Sequence, residues 1–312
     1  MSDISSSGPR EERPLPELFS RLIAPALFIL LWSGAFIAVR AGLPYVSPLS
    51  FLATRFALAS LVLVVVTLAV VRLRRDWTGV GRAWPHLAVS GALINGAYLS
   101  GGYLAMTTIK GAMMALVGAL APVVTAIVAS RLTDERFGGL QWLGFALGFA
   151  GVVIVVGVEP GGFAFSPGLG WAFASMAAIV AGTLYFNRFC RDVPILPSNC
   201  IQLGSGAVFC WILVALFESP WVEPSWPLFW SFAYLTVAVS LGAMAIFLFM
   251  VKSGTAARAI ANLYLTPGVA ALMGWALLDE AFPPVALAGF AVSMLGLWLV
   301  HRQQTTGSPT RE

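Results

Sequence analysis

The chain has 312 residues, of which 59% are hydrophobic and only 10% charged, and its mean hydropathy is +0.86. A water-soluble globular protein cannot dispose of that much apolar surface, so the excess must face lipid. The net charge of +4 is not gathered into a basic stripe, which argues against a nucleic-acid partner and fits the basic bias of cytoplasmic loops in membrane proteins.

Residues 1–20 mix Ser, Gly, Pro, Arg and Glu and read as a disordered cytoplasmic tail. After Arg21, apolar runs of about twenty residues recur, each long enough to cross the hydrocarbon core. They lie near 22–42, 49–71, 85–106, 111–131, 138–157, 167–188, 198–218, 227–251, 254–278 and 284–301. Because further spans follow the first run, it reads as a signal anchor rather than a cleaved leader. Punctuation separates the runs: Pro44 and Pro48, Arg72 to Arg82, Asp134-Glu135, Pro160-Gly161-Gly162, Pro194 and Pro197, Pro220 and Pro224, Asp279-Glu280, and Pro283-Pro284. The runs are long and continuous, which predicts helices rather than barrel strands. The expected fold is an all-α integral membrane protein of ten transmembrane helices.

Placing the N-terminus inside puts fourteen of the eighteen basic residues on the cytoplasmic side, against Arg40 and Lys110 outside, with Arg55 and Arg258 within spans. That asymmetry predicts a multi-pass inner-membrane protein with both termini in the cytoplasm. The three cysteines, Cys190, Cys200 and Cys210, imply neither a disulfide framework nor a metal site. The last two would lie about 15 Å apart along one helix, too far to bridge.

The chain also repeats itself. A shift of 145 residues brings Pro122 onto Pro267, Asp134-Glu135 onto Asp279-Glu280, Phe137 onto Phe282, Gly144-Phe145-Ala146 onto Gly289-Phe290-Ala291, and Gly151 onto Gly296. A shift of 142 aligns Trp84-Pro85 with Trp226-Pro227, and one of 148 aligns Gly34 with Gly182 and Arg40 with Arg188. Such drift is what loop insertions produce. The expected domains are a first five-helix repeat over 21–158 and a second over 159–302, followed by a cytoplasmic tail at 303–312. An odd number of spans per repeat inverts the second relative to the first, the pattern of alternating-access carriers.

The stretch Trp32-Ser33-Gly34-Ala35-Phe36 through Pro48 to Arg55-Phe56, with Gly111 to Gly151 and Gly254 to Gly296 around the two Asp-Glu-x-Phe turns, resembles the EamA-type members of the drug/metabolite transporter superfamily. The resemblance covers nearly everything from 22 to 300. It implies ten helices, an inverted repeat and export of small metabolites; among bacterial members the chain is most similar to YddG-type exporters of aromatic and other neutral amino acids.

Polar side chains inside a bilayer are functional candidates. No acidic residue falls at mid-span, so coupling to protons or sodium through a buried carboxylate is not expected. The substrate-lining candidates are Trp32 and Ser33 in the first span, Asn95 and Tyr98 in the third, Gly182 and Tyr185 in the sixth, Ser240 in the eighth, and Asn262, Tyr264 and Thr266 in the ninth. For each, packing between helices is the competing reading. A mainly apolar cavity with a few hydrogen-bonding groups suits neutral amino acids with large side chains. Pro122 and Pro267 are candidate hinges, since each removes an intrahelical hydrogen bond. Gly144-x-x-x-Gly148 and Gly289-x-x-x-Ser293 are faces for close helix approach, within the chain or in a dimer; a monomer is expected. Arg55 is open between attracting an anionic substrate group and holding a neighbouring helix end. No cofactor or metal is expected, and no motif of an intramembrane enzyme is present. The expected partners are a small-molecule substrate and the lipid bilayer. Other metabolites such as nucleobases, or a channel function, remain the alternatives.

Overall fold

The structure is a computed structural model that describes residues 19–74, 79–106, 108, 117–132, 136–156, 167–254, 256–278 and 284–302. Most of the N-terminal tail, the C-terminal tail and both Asp-Glu turns lie outside the described residues. Helix α1 (Ala24–Gly42) is entered through a π turn at Phe19–Ile23 and is followed by α2 (Pro48–Arg74). Helix α3 runs over Val80–Gly91, passes through a π-helical stretch at Ala92–Ala97 and finishes over Tyr98–Met106. Then come α4 (Ala121–Leu132), α5 (Gly139–Val156), α6 (Pro167–Phe189) and α7 (Ile195–Phe217). Helix α8 joins Trp226–Tyr234 to Met244–Ser253 through a second π stretch at Leu235–Ala243. Helix α9 joins Ala256–Ala261 to Thr266–Leu278 through a 3-10 turn at Asn262–Leu265, and α10 covers Pro284–Arg302. Among the described residues the only extended pairing is an isolated antiparallel bridge between Val46 and Val222.

Among the described residues, six helical rods are long and apolar enough to cross a membrane: Ala24–Tyr45, Pro48–Ala69, Pro167–Phe189, Ile195–Phe217, Trp226–Ser253 and Ala256–Leu277. Ala121–Leu132, Gly139–Ile154 and Leu287–His301 are shorter apolar helices. The chain is thus an all-helical, multi-pass membrane protein. Prolines open several helices, at Pro25, Pro48, Pro167, Pro227 and Pro284, where the missing N–H costs nothing. Ser225 caps α8, its Oγ accepting from Leu228 N. On α7 the row Val208, Ile212 and Leu216 is exposed while Leu203, Cys210 and Val214 are buried. In water such an apolar row would be a liability, whereas in a bilayer it is the lipid-facing side.

Helix pairing is reciprocal. α2 lies along α7, α4 along α9 and α5 along α10, while α1 packs on α8 as α6 packs on α3. Exchanging α1–α5 with α6–α10 maps this set of pairs onto itself. The α5–α10 seam shows the same relation atom by atom. A methyl placed on Gly151 would come within 2.6 Å of Gly289 O, and one placed on Gly144 within 2.7 Å of Gly296 O. The offset of 145 residues turns the first contact into the second. Later residues of α5 meet earlier residues of α10, so the two helices run antiparallel. The small-residue faces of α5 and α10 are therefore used against each other, within the chain.

Candidate functional site

The Trp32-Ser33-Gly34 segment of α1 is clasped between α8 and α9. Ser33 is fully buried and its Oγ donates to Thr266 O at 3.2 Å. Tyr234 of α8 donates its hydroxyl to Leu31 O at 3.1 Å, and its phenol lies over Gly34, where a methyl group would push the ring aside. Trp32 is half-buried against the central apolar cluster, with its ring 5.3 Å from that of Phe28. Half-buried side chains packed on this cluster come from eight helices, among them Trp32, Tyr98, Val124, Met176, Tyr234 and Leu263. Helices α1, α3, α4 and α6 to α10 thus share one apolar centre, and half-buried aromatic rings reach it from α1, α3, α8 and α10.

The α3–α6 pair has a related construction. Gly182, the offset-148 mate of Gly34, lets α3 approach α6, since a methyl there would sit 2.6 Å from Ile94 Cγ1. Ser175 Oγ donates to Tyr98 O at 2.6 Å. Tyr185 stands apart from Ser33 and Thr266. Its hydroxyl pairs with His86 Nδ1 at 2.7 Å and its ring packs 4.7 Å from Phe189.

The two π stretches occupy matching places. The offset of 142 carries Ala92–Ala97 onto residues 234–239, all but the first of which lie within Leu235–Ala243. A π stretch leaves carbonyls without their usual partner and often marks a functional position. In α8 one such group is met from outside: Asn199 Nδ2 of α7 donates to Ser240 O at 3.2 Å. Ser240 Oγ, Thr236 Oγ1 and Asn199 Oδ1 are buried without a hydrogen-bond partner. In α3, Asn95 is buried against Gly206 of α7, and its Nδ2 also has no partner. Gln202, on the α7 face that meets Gly91, has neither amide atom paired. Asn199 and Gln202 were not among the sequence candidates, although two polar residues three apart in an apolar run were a legible signal.

Asn262 and Tyr264 occupy the 3-10 turn of α9. Asn262 Nδ2 donates at 3.1 Å to Arg258 O and to Ala259 O of its own helix and reaches Met250 Sδ of α8 at 3.7 Å, while its Oδ1 is buried without a partner. Tyr264 points to α5, filling the space over Gly148 and donating to Phe145 O at 3.1 Å. Thr266 Oγ1 donates to Leu263 O at 2.7 Å. The structure therefore joins Thr266 to Ser33, turns Tyr264 toward α5, and leaves Asn262 with a buried oxygen that has no partner. Pro122 is the second residue of α4, immediately after a turn at Ala119–Leu120. Pro267 is likewise the second residue of the segment Thr266–Leu278. Each proline restarts a helix after an interruption, instead of interrupting a continuous one.

At one end of the bundle the α1–α2 and α7–α8 connections are stapled together. Ser47 N donates to Trp221 O at 3.1 Å, and Glu223 N to Tyr45 O at 2.8 Å. The Glu218 carboxylate accepts from Leu49 N at 2.9 Å, Ser50 N at 2.7 Å and Ser50 Oγ at 2.8 Å, closing the N-terminus of α2. Among the described residues no group of three or more His, Cys, Asp or Glu is placed to hold a metal ion.

This bundle is reproduced in known proteins. One family model, that of the EamA-like transporter family, matches the chain twice, at 21–157 and 166–302. The chain belongs to this family. The EamA-like chain is 26% identical over 284 residues to a probable terminal-alkyne amino-acid exporter from Streptantibioticus cattleyicolor, covering 90% of this chain and 93% of that one. It is 26% identical over 304 residues to the uncharacterized inner membrane transporter YedA of Escherichia coli, with 92% of each chain covered. The Bacillus subtilis uncharacterized transporter YvbV is 24% identical over 296 residues, with 93% of each covered. A solved crystal structure at 22% identity shares the fold, with a TM-score of 0.74 over 90% of this chain and 96% of that one. The EamA-like chain is therefore a membrane transporter by family.

Proposed function

We propose that this EamA-like transporter exports aromatic or other neutral amino acids across the inner membrane, by alternating access between two inverted five-helix halves of ten spans in all. The α5–α10 seam carries the mechanistic part. Its contacts are exchanged by the same residue offset that relates the two halves of the sequence, and the two helices run antiparallel. A two-fold axis lying in the membrane plane has that effect, and it makes inward-open and outward-open arrangements near mirror choices of one fold. The substrate part is supported by the relative named as an amino-acid exporter. It is also supported by an apolar centre that includes half-buried Trp32, Tyr98 and Tyr234, and by buried polar atoms of Asn95, Gln202 and Ser240 that have no partner. Apolar surroundings with a few unpaired polar atoms suit a large neutral side chain.

The basic-residue bias orients both termini toward the cytoplasm, which puts the Ser47–Trp221 staple on the outer side. The carboxylates described by the structure, Asp192, Glu218 and Glu223, all lie in connections between helices. Transport accordingly proceeds as facilitated efflux or exchange, without a carboxylate relay, in a monomer. Counterflow in proteoliposomes preloaded with single amino acids and nucleobases is the test. Saturable counterflow with large neutral amino acids is expected and should persist when the pH gradient is collapsed. Counterflow with nucleobases alone, flux that does not saturate, or strict dependence on the gradient would each overturn the corresponding part.

A further inference from the structure

Arg55 takes no part in the contacts described so far. It lies two turns into α2 and is 4% exposed. Its guanidinium carbon sits 4.7 Å from the centroid of the Phe56 ring. Its electrostatic neighbours on the facing helices are Tyr103 of α3 and Cys210 of α7. At neutral pH a tyrosine and a cysteine are both uncharged in such surroundings, so neither balances the cation. No described carboxylate is among its electrostatic neighbours, and the N-terminus of its own helix α2 is a positive helix end that cannot balance it. Arg55 Nε and the Tyr103 hydroxyl are both buried without a hydrogen-bond partner, while Cys210 Sγ is engaged with Ser100 Oγ at 3.3 Å. Leu52, Phe56, Leu203 and Ala207 form the apolar wall of the same cluster.

A lone guanidinium among apolar side chains is held at a large cost unless an anion completes it. The guanidinium fork presents parallel N–H donors, and a carboxylate is the planar anion that accepts two of them at once. A phosphate dianion calls for a second cation, and none of the other described basic residues is an electrostatic neighbour of Arg55. We propose that Arg55 and Tyr103 form a carboxylate subsite: the guanidinium donates to both oxygens of the substrate α-carboxylate, and the Tyr103 hydroxyl donates to one of them. Identifying the carboxylate as that of an amino acid rests on the transport reading above.

The test uses purified full-length protein in detergent without added lipid, so that no lipid headgroup supplies the anion. Thermal stabilisation is titrated with phenylalanine, phenylalanine amide, 3-phenylpropionate and 3-phenylpropionamide, for the wild type, Arg55→Gln and Tyr103→Phe. The wild type should bind each acid about tenfold more tightly than its amide, a difference of about 1.4 kcal/mol. In Arg55→Gln that preference should fall to within about twofold, and in Tyr103→Phe by roughly three- to fivefold, by loss of one hydrogen bond. Equal weakening of acid and amide, or an acid preference that survives Arg55→Gln, would overturn the subsite. If Arg55→Gln does not fold, the wild-type preference and its reduction in Tyr103→Phe decide, and absence of either refutes the assignment. A preference for 3-phenylpropionate with no binding or counterflow of any amino acid would leave the subsite standing and sink only the amino-acid reading. Amino-acid counterflow with no acid preference would do the reverse.

Discussion

Replacing Glu218 with alanine removes the one side chain that closes the N-terminus of α2 from the end of α7. Three donors converge on its carboxylate, Leu49 N at 2.9 Å, Ser50 N at 2.7 Å and Ser50 Oγ at 2.8 Å. A hydrogen bond to an ionised group nets about 1.5–3 kcal/mol, loss of an N-cap costs about 1 kcal/mol, and the helix dipole adds about 0.3–1 kcal/mol. These contributions describe overlapping contacts and do not add. Because Glu218 is only half-buried, the lower end applies, and Glu218→Ala should cost about 2 kcal/mol. Glu218→Gln keeps an acceptor oxygen and loses the charge, so about half of that loss is expected. Reversible unfolding of the purified protein in mixed micelles, read as a shift in midpoint at constant slope, measures both. An alanine variant within about 0.5 kcal/mol of wild type, the range of ordinary surface substitutions, would refute the cap. A glutamine variant as damaging as alanine would show that charge at the helix end, not the acceptor, carries the effect.

Leucine at Gly144 or at Gly151 should destabilise the α5–α10 seam to a similar degree, by about 1–3 kcal/mol or more through overpacking; the same unfolding assay checks it, and tolerance at one position but not the other would break the two-fold relation. Pro122→Ala and Pro267→Ala should each slow counterflow several-fold at unchanged expression, because the proline ring disfavours helical backbone at the residue before it and so keeps the interruption ahead of each helix segment in place; undiminished transport in both removes the hinge role. In a background lacking Cys190, Cys200 and Cys210, Trp221→Cys should react with an impermeant thiol reagent in intact cells stripped of their outer membrane, and Arg191→Cys only after lysis; the reverse pattern would invert the orientation.

The amino-acid sequence by itself determined the class of solvent, the approximate positions of the apolar rods and the existence of an internal repeat. Those properties are one-dimensional: a run either spans hydrocarbon or does not, and Gly144-Phe145-Ala146 meets Gly289-Phe290-Ala291 at a constant offset whatever the fold. Tertiary structure decided which way each polar side chain faces. Ser33 and Thr266 were both visible as candidates, but their hydrogen bond depends on α1 and α9 lying side by side. Tyr264 looked equally suited to line a cavity, yet the 3-10 turn beneath it directs the ring to Gly148 and Phe145. One residue of shift rotates everything downstream by about 100° around a helix of 3.6 residues per turn. The π stretches in α3 and α8 and the tight turn in α9 therefore erase any facing read from periodicity alone. Glu218 was hidden for another reason. It lies just past the end of α7 and acts on α2, 169 residues away along the chain at Leu49, a partnership that only the packing of α2 along α7 creates.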